Sequence, residues 1–110
     1  MPRNMSAYIE EILGAISEIN SFLKNMDFET YLNDSKTKSA VERKLMIIGE
    51  AMNQMHELNP QVENKITDFR KIIAFRNIIV HGYFGIDDQL VWDILQTKLS
   101  RLEEEMRALI

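Results

Sequence analysis

The sequence predicts an all-α fold, an up-and-down bundle of four long helices plus a short one. Apolar residues recur three and four positions apart along most of the chain. Only four glycines and two prolines interrupt it, and few stretches alternate apolar and polar residues as a half-buried strand would. A chain of 110 residues makes one domain, spanning 1–110. It buries roughly two-thirds of the surface that its unfolded form exposes, which is enough for a real core.

The first helix carries the seam Ile9, Ile12, Ile16, Ile19 and Leu23. Asp27 is placed to cap a short turn of helix over Phe28–Leu32, and Asn33, Asp34 and Ser35 supply the next N-cap. The long helix that follows bears Val41, Leu45, Ile48, Met52 and Met55. It ends at Asn59–Pro60, because the residue before a proline is pushed out of the α region. A further helix is expected from about Lys65 to Gly82 or Tyr83, with Gly85 in the loop after it. Asp87 is placed to cap one last helix with the seam Trp92, Leu95, Leu99, Leu102, Met106 and Leu109, ending near Arg101–Arg107. These spacings belong to helices packed at shallow angles rather than to isolated surface helices.

Composition excludes several function classes. There is no cysteine, hence no disulfide scaffold, thiolate metal site or cysteine nucleophile, as fits a reducing compartment. No apolar run approaches the roughly 18 residues needed to cross a membrane, and the N-terminus lacks a signal-peptide profile. A cytoplasmic protein with no membrane partner is expected. The formal net charge is −4, yet residues 36–76 carry eight basic side chains against five acidic ones while both flanking segments are acidic. An acidic protein can bind a polyanion where its positive charge is concentrated, although a mixed solvated surface gives similar counts.

The helix over residues 69–83 breaks the apolar pattern. Its stepping lands on Phe69, Ile72, Arg76, Ile79 and Tyr83, and the neighbouring ridge reads Ile73, Asn77, Val80 or His81, and Phe84. Seven residues turn about 700°, so Arg76 and Tyr83 sit nearly one above the other, while Asn77 and His81 share a face. A guanidinium facing a core is costly unless paired or wet. One reading is structural: Arg76 pairs with Glu50 or Glu42, His81 is a satisfied histidine near a helix end, and Tyr83 is a core aromatic with its hydroxyl at the rim.

The other reading is phosphodiester chemistry. His56 and His81 lie on different helices and Asp87 and Asp88 fit a helix start, so no metal-ligand set stands out and no cofactor is expected. Serines and histidines are also too few to favour a Ser/His/Asp arrangement. A histidine with an arginine suits metal-free RNA cleavage. The imidazole takes a proton from a ribose 2′-hydroxyl or gives one to the leaving oxygen, and the guanidinium neutralises charge on phosphorus. Asn77 would orient a phosphate or the histidine. Two-fold pairing of such helices would double the catalytic set in one groove.

Phe75-Arg76-Asn77-Ile78-Ile79-Val80-His81-Gly82-Tyr83 contains Arg-x4-His-x-Tyr with a polar residue directly after the arginine. It resembles the motif of HEPN-superfamily ribonucleases, most closely the HepT toxins. Ala40-Val41-Glu42-Arg43 with Ile47-Ile48-Gly49-Glu50-Ala51 is similar to the HepT second long helix, and Gly85-Ile86-Asp87 with Val91-Trp92-Asp93 to the segment after the motif. The resemblance implies a HEPN bundle acting as a homodimeric, metal-independent endoribonuclease toxin of a type VII toxin–antitoxin pair. It implies Arg76 and His81 as the catalytic pair, Asn77 as the supporting polar neighbour, and Tyr83 as the residue to which an MntA-type minimal nucleotidyltransferase antitoxin transfers AMP. Where HepT proteins often carry a proline and a tryptophan before the fourth helix, this chain has Asn64-Lys65-Ile66-Thr67-Asp68. A different class stays open, a non-catalytic helical module that supports a nucleotidyltransferase. Arg76 with His81 discriminates the two, since such a module has no need of that pair in a cleft.

Overall fold

The computed structural model describes residues 4–80 and 85–110. Six α-helices follow one another: α1 (Met5–Phe22), α2 (Phe28–Leu32), α3 (Ser35–Leu58), α4 (Phe69–Val80), α5 (Asp88–Thr97) and α6 (Leu99–Arg107). A 3₁₀ turn over Pro60–Lys65 joins α3 to α4. No strand occurs among the described residues. The all-α bundle read from the apolar spacing is therefore the observed fold class.

Short polar side chains start the helices as their chemistry requires. Asn4, Asp27 and Asp34 each accept a hydrogen bond from the backbone N–H three residues on, at 2.9, 2.8 and 3.0 Å. Asp87 accepts from Gln89 and Leu90. Such caps satisfy N–H groups that have no partner inside the helix. The carboxyls of Asp27 and Asp34 are held below the usual range, first by the backbone N–H of Thr30 and Thr37 and then by the threonine hydroxyls.

The core is the set of seams. Ile9, Ile12, Ile16 and Ile19 of α1 meet Val41, Leu45, Ile48, Met52 and Met55 of α3, all buried, and Val91, Leu95, Leu99, Leu102 and Met106 close the bundle. α1 packs along α3, α4 lies against α3, and α6 returns onto α1. Trp92 covers the end of the core, with its ring centroid 5.2 Å from that of Tyr31 and 5.9 Å from that of Phe28. Tyr31 is wholly buried and its hydroxyl has no hydrogen-bond partner among the described residues. Burial, with help from the nearby charges of Glu42 and Asp88, pushes its phenol far above the usual range.

Two boundaries differ from the sequence expectation. The fourth helix begins at Phe69, not near Lys65, because Asn59 caps the 3₁₀ turn and Ile66 is extended. The final helix is divided at Lys98, a turn residue at φ −112° and ψ −30° between α5 and α6. Both departures serve one junction. Asp68, buried just before α4, has Lys98 Nζ at 3.7 Å and Arg101 Nε at 3.6 Å. Thr67 donates to Glu105 of α6 through both its backbone N–H and its hydroxyl. Seam periodicity carries no trace of these long-range polar contacts.

Candidate active site

Where helices α3 and α4 pack together, Gly49 faces Arg76. A Cβ on residue 49 would overlap the Cβ of Arg76 and come within 2.7 Å of its Cγ. Only a residue without a side chain lets the guanidinium stem lie in the interface, and Gly49 is accordingly buried. The rest of the inward stripe of α4, Phe69, Ile72, Phe75 and Ile79, is apolar and anchors the helix on the core. The stripe therefore includes Phe75, which lies off the stepping through Arg76.

Arg76 is half-buried, with its side chain 25% exposed. One terminal nitrogen donates to Glu50 Oε2 at 2.6 Å and the other to Asn77 Oδ1 at 3.0 Å. Its Nε is buried and has no partner among the described residues. Of the two carboxylates that the sequence offered as partners, Glu50 is the one that pairs. Glu42 stands instead near Tyr31 and Asp88, where burial, then Asp88, raise its pKa against the opposing effect of Lys38. Glu50 is about half exposed, so this ion pair orients the guanidinium more than it stabilises the fold.

Around Arg76 the surface forms a pocket of about 270 Å³ lined by Arg43, Met46, Ile47, Glu50 and Arg76. A second pocket of about 350 Å³ continues along the same α3–α4 groove and includes Asn53, His56, Arg70 and Asn77. Asn77 is exposed and borders both Arg76 and the second pocket. His81 and Tyr83 lie outside the described residues. In the sequence His81 follows the last residue of α4 directly. Among the described residues no three His, Asp or Glu side chains converge as a metal-binding group, and no helix is long and apolar enough to cross a membrane.

Gly49 and Arg43 are site residues that reasoning from periodicity did not single out. A glycine in the middle of a helix was the available signal for the first, since it weakens the helix unless a neighbour needs the space. Nothing in the local pattern distinguishes Arg43 from any exposed arginine.

Comparison with known proteins is consistent with this architecture. Residues 12–109 match the family model described as "Ribonuclease HepT-like". The chain is 33% identical over 113 residues to a probable ribonuclease HepT of Thermococcus cleftensis, covering 99% of this chain and 98% of that one. It is 32% identical over 108 residues to an RNase candidate of Methanocaldococcus jannaschii, covering 94% of each chain. No solved structure matches it closely. Length, bundle and sequence agree over nearly the whole chain, which belongs to the HepT-like ribonuclease family.

Proposed function

We propose that this protein is a metal-independent endoribonuclease toxin in which Arg76 and His81 cleave RNA by acid–base chemistry. The observation that carries the reading is the Arg76 guanidinium, half-buried in an open groove, oriented from two sides by Glu50 and Asn77. Its family membership and the names of its relatives as ribonucleases support the same chemistry.

In the reaction the ribose 2′-oxygen, as its proton is removed, bonds to the adjacent phosphorus. The 5′-oxygen of the next nucleotide leaves with a proton, giving a cyclic phosphate and a free hydroxyl. Charge grows on the phosphoryl oxygens in the transition state, where a pre-oriented guanidinium is most effective. His81 moves the proton, because an imidazole titrates near neutrality. Asn77 holds one edge of the guanidinium so that the remaining N–H groups point at phosphate.

The active form is a homodimer. The support for it is an apolar groove of about 330 Å³ between α4 and the α5–α6 arm, with Ile78 and Leu90 exposed at its rim. Pairing two copies through this face would cover that surface. The antitoxin is an MntA-type minimal nucleotidyltransferase, and AMP carried on Tyr83 would set a phosphate against the motif and block RNA.

The test is cleavage of labelled RNA by the purified chain in excess EDTA. Wild type is expected to cut, and Arg76→Ala and His81→Ala to lose cleavage and growth inhibition with helicity and melting near normal. Undiminished cleavage by either variant removes that residue from the mechanism, and loss of activity in EDTA removes metal independence.

A further inference from the structure

The pocket beside Asn77 has a composition that phosphate chemistry alone does not need. His56 and Phe69 form its aromatic side, ring centroids 5.5 Å apart and 38° between planes. Ile73 and Ala74 supply an aliphatic wall, and Asn53 and Asn77 contribute two amides. Asn53 has no side-chain hydrogen bond among the described residues. Asn77 spends its carbonyl on Arg76, and its NH₂ group has no partner among the described residues.

The far end is braced. Glu63 accepts from Arg70 through both oxygens, at 2.7 and 2.9 Å, and its Oε1 lies 3.2 Å from His56 Nε2. This contact places the imidazole edge beside the Glu63 carboxylate. Arg70 remains 80% exposed despite the pair, so its outer face is open to a further anion.

We propose that this pocket is a base-binding subsite for RNA, receiving one nucleobase next to the phosphate held at Arg76. The inference rests on the ribonuclease reading and extends it to substrate specificity. A nucleobase is a flat heterocycle with hydrogen-bonding edges. The ring of His56 offers a stacking surface, the amides of Asn53 and Asn77 read the edge, and Arg70 meets the following phosphate. A volume of about 350 Å³ suits one small planar group. Asn77 joins the two pockets, orienting the guanidinium with one end of its amide and touching the base with the other. Asn53 and His56 contact no reacting atom and act as specificity-determining residues.

The experiment measures anisotropy of labelled, non-cleavable 2′-O-methyl oligonucleotides of A, C, G and U on the full chain, with the cleavage-site preference of wild type and variants on ordinary RNA. Wild type is expected to discriminate among the four. Asn53→Ala should bind the preferred oligonucleotide about tenfold more weakly and lose much of the discrimination. His56→Ala should weaken it comparably, and His56→Phe should restore most of the binding because the aromatic face returns. Circular dichroism melts verify that each variant is folded. Wild-type affinity and base preference in both Asn53→Ala and His56→Ala, with cleavage still dependent on Arg76, overturns the subsite alone. Cleavage independent of Arg76 and His81 overturns the ribonuclease reading, and absence of RNA binding by wild type overturns both.

Discussion

Gly49 of α3 and Arg76 of α4 share a space that admits one side chain and no more: a methyl group at 49 would overlap the Arg76 stem. The candidate site depends on this close approach, because it lets the arginine emerge beside Glu50 while α4 stays packed on the core.

Gly49→Ala is therefore expected to displace Arg76. Overpacking costs about 1–3 kcal/mol, and the better helix propensity of alanine returns about 1 kcal/mol. The net loss in stability is small, whereas cleavage should fall by more than tenfold because the guanidinium leaves its position. Denaturant melts paired with RNA cleavage measure the two effects; full activity would mean that Arg76 tolerates a shift at its base.

Glu50→Gln removes a charge while keeping the shape. The pair with Arg76 is partly exposed, so stability should change by less than about 1 kcal/mol. RNA binding should tighten and its salt dependence steepen, since a cation is freed for phosphate. The rate constant for cleavage should fall as the guanidinium loses one of its two anchors. Titrations at several salt concentrations and single-turnover kinetics separate the effects, and an unchanged rate would deny Glu50 an orienting role.

Tyr31→Phe is expected to stabilise the protein. The hydroxyl is buried without a partner among the described residues, and a group left in that state costs about 1–3 kcal/mol. Its removal should raise the melting temperature by several degrees without affecting RNA cleavage. A lower melting temperature would reveal a partner for the hydroxyl, such as a bridging water.

Glu42 has a pKa raised in the folded state, by burial first and by Asp88 second. A raised carboxyl favours folding below its unfolded pKa, and that contribution is lost as pH rises through the folded value. Glu42→Gln, which imitates the protonated form, should melt higher than wild type at pH 7. The difference should close as the pH falls below the ordinary carboxylate range. A pH series of thermal melts checks the sign, and a gap that widens on acidification would contradict it.

Tyr83 can be separated from the other tyrosines by substitution. The chain has three; Tyr31 is wholly inside, and Tyr8 is half-buried on α1. On the proposed reading, with an MntA-type nucleotidyltransferase and ATP the Tyr83 oxygen would attack the α-phosphorus, pyrophosphate would leave, and the chain would gain the mass of an adenylyl group. Tyr83→Phe should abolish that mass increase and leave a toxin that the antitoxin cannot silence. Continued labelling would move the modification to another residue.

The helical seams were legible because burial imposes its period on the chain. Ile9 to Ile19, Val41 to Met55 and Leu95 to Met106 face inward as their three-and-four spacing requires, while at the start of the last seam Val91 is buried and Trp92 only partly so. The cap at Asp27 was equally plain, since a short carboxylate before a helical run satisfies N–H groups that nothing else reaches. Arg76 stood out because a charge interrupted an apolar seam.

Other features have no local signature. The division at Lys98, whose ammonium lies near Asp68 thirty positions away in the chain, leaves no mark on helix periodicity, which runs through it undisturbed. The choice of Glu50 over Glu42 depended on which face of α3 meets α4, and Gly49 acquired its meaning only from the side chain placed against it. By itself the sequence determined the class of fold, the inward residues and the one arginine that had to find a partner, because periodic burial and charge are properties of neighbours along the chain. Tertiary structure alone decided that partner, the groove beside it and the line-up of Asn53, His56 and Asn77, because distance in space between helices is set by their packing.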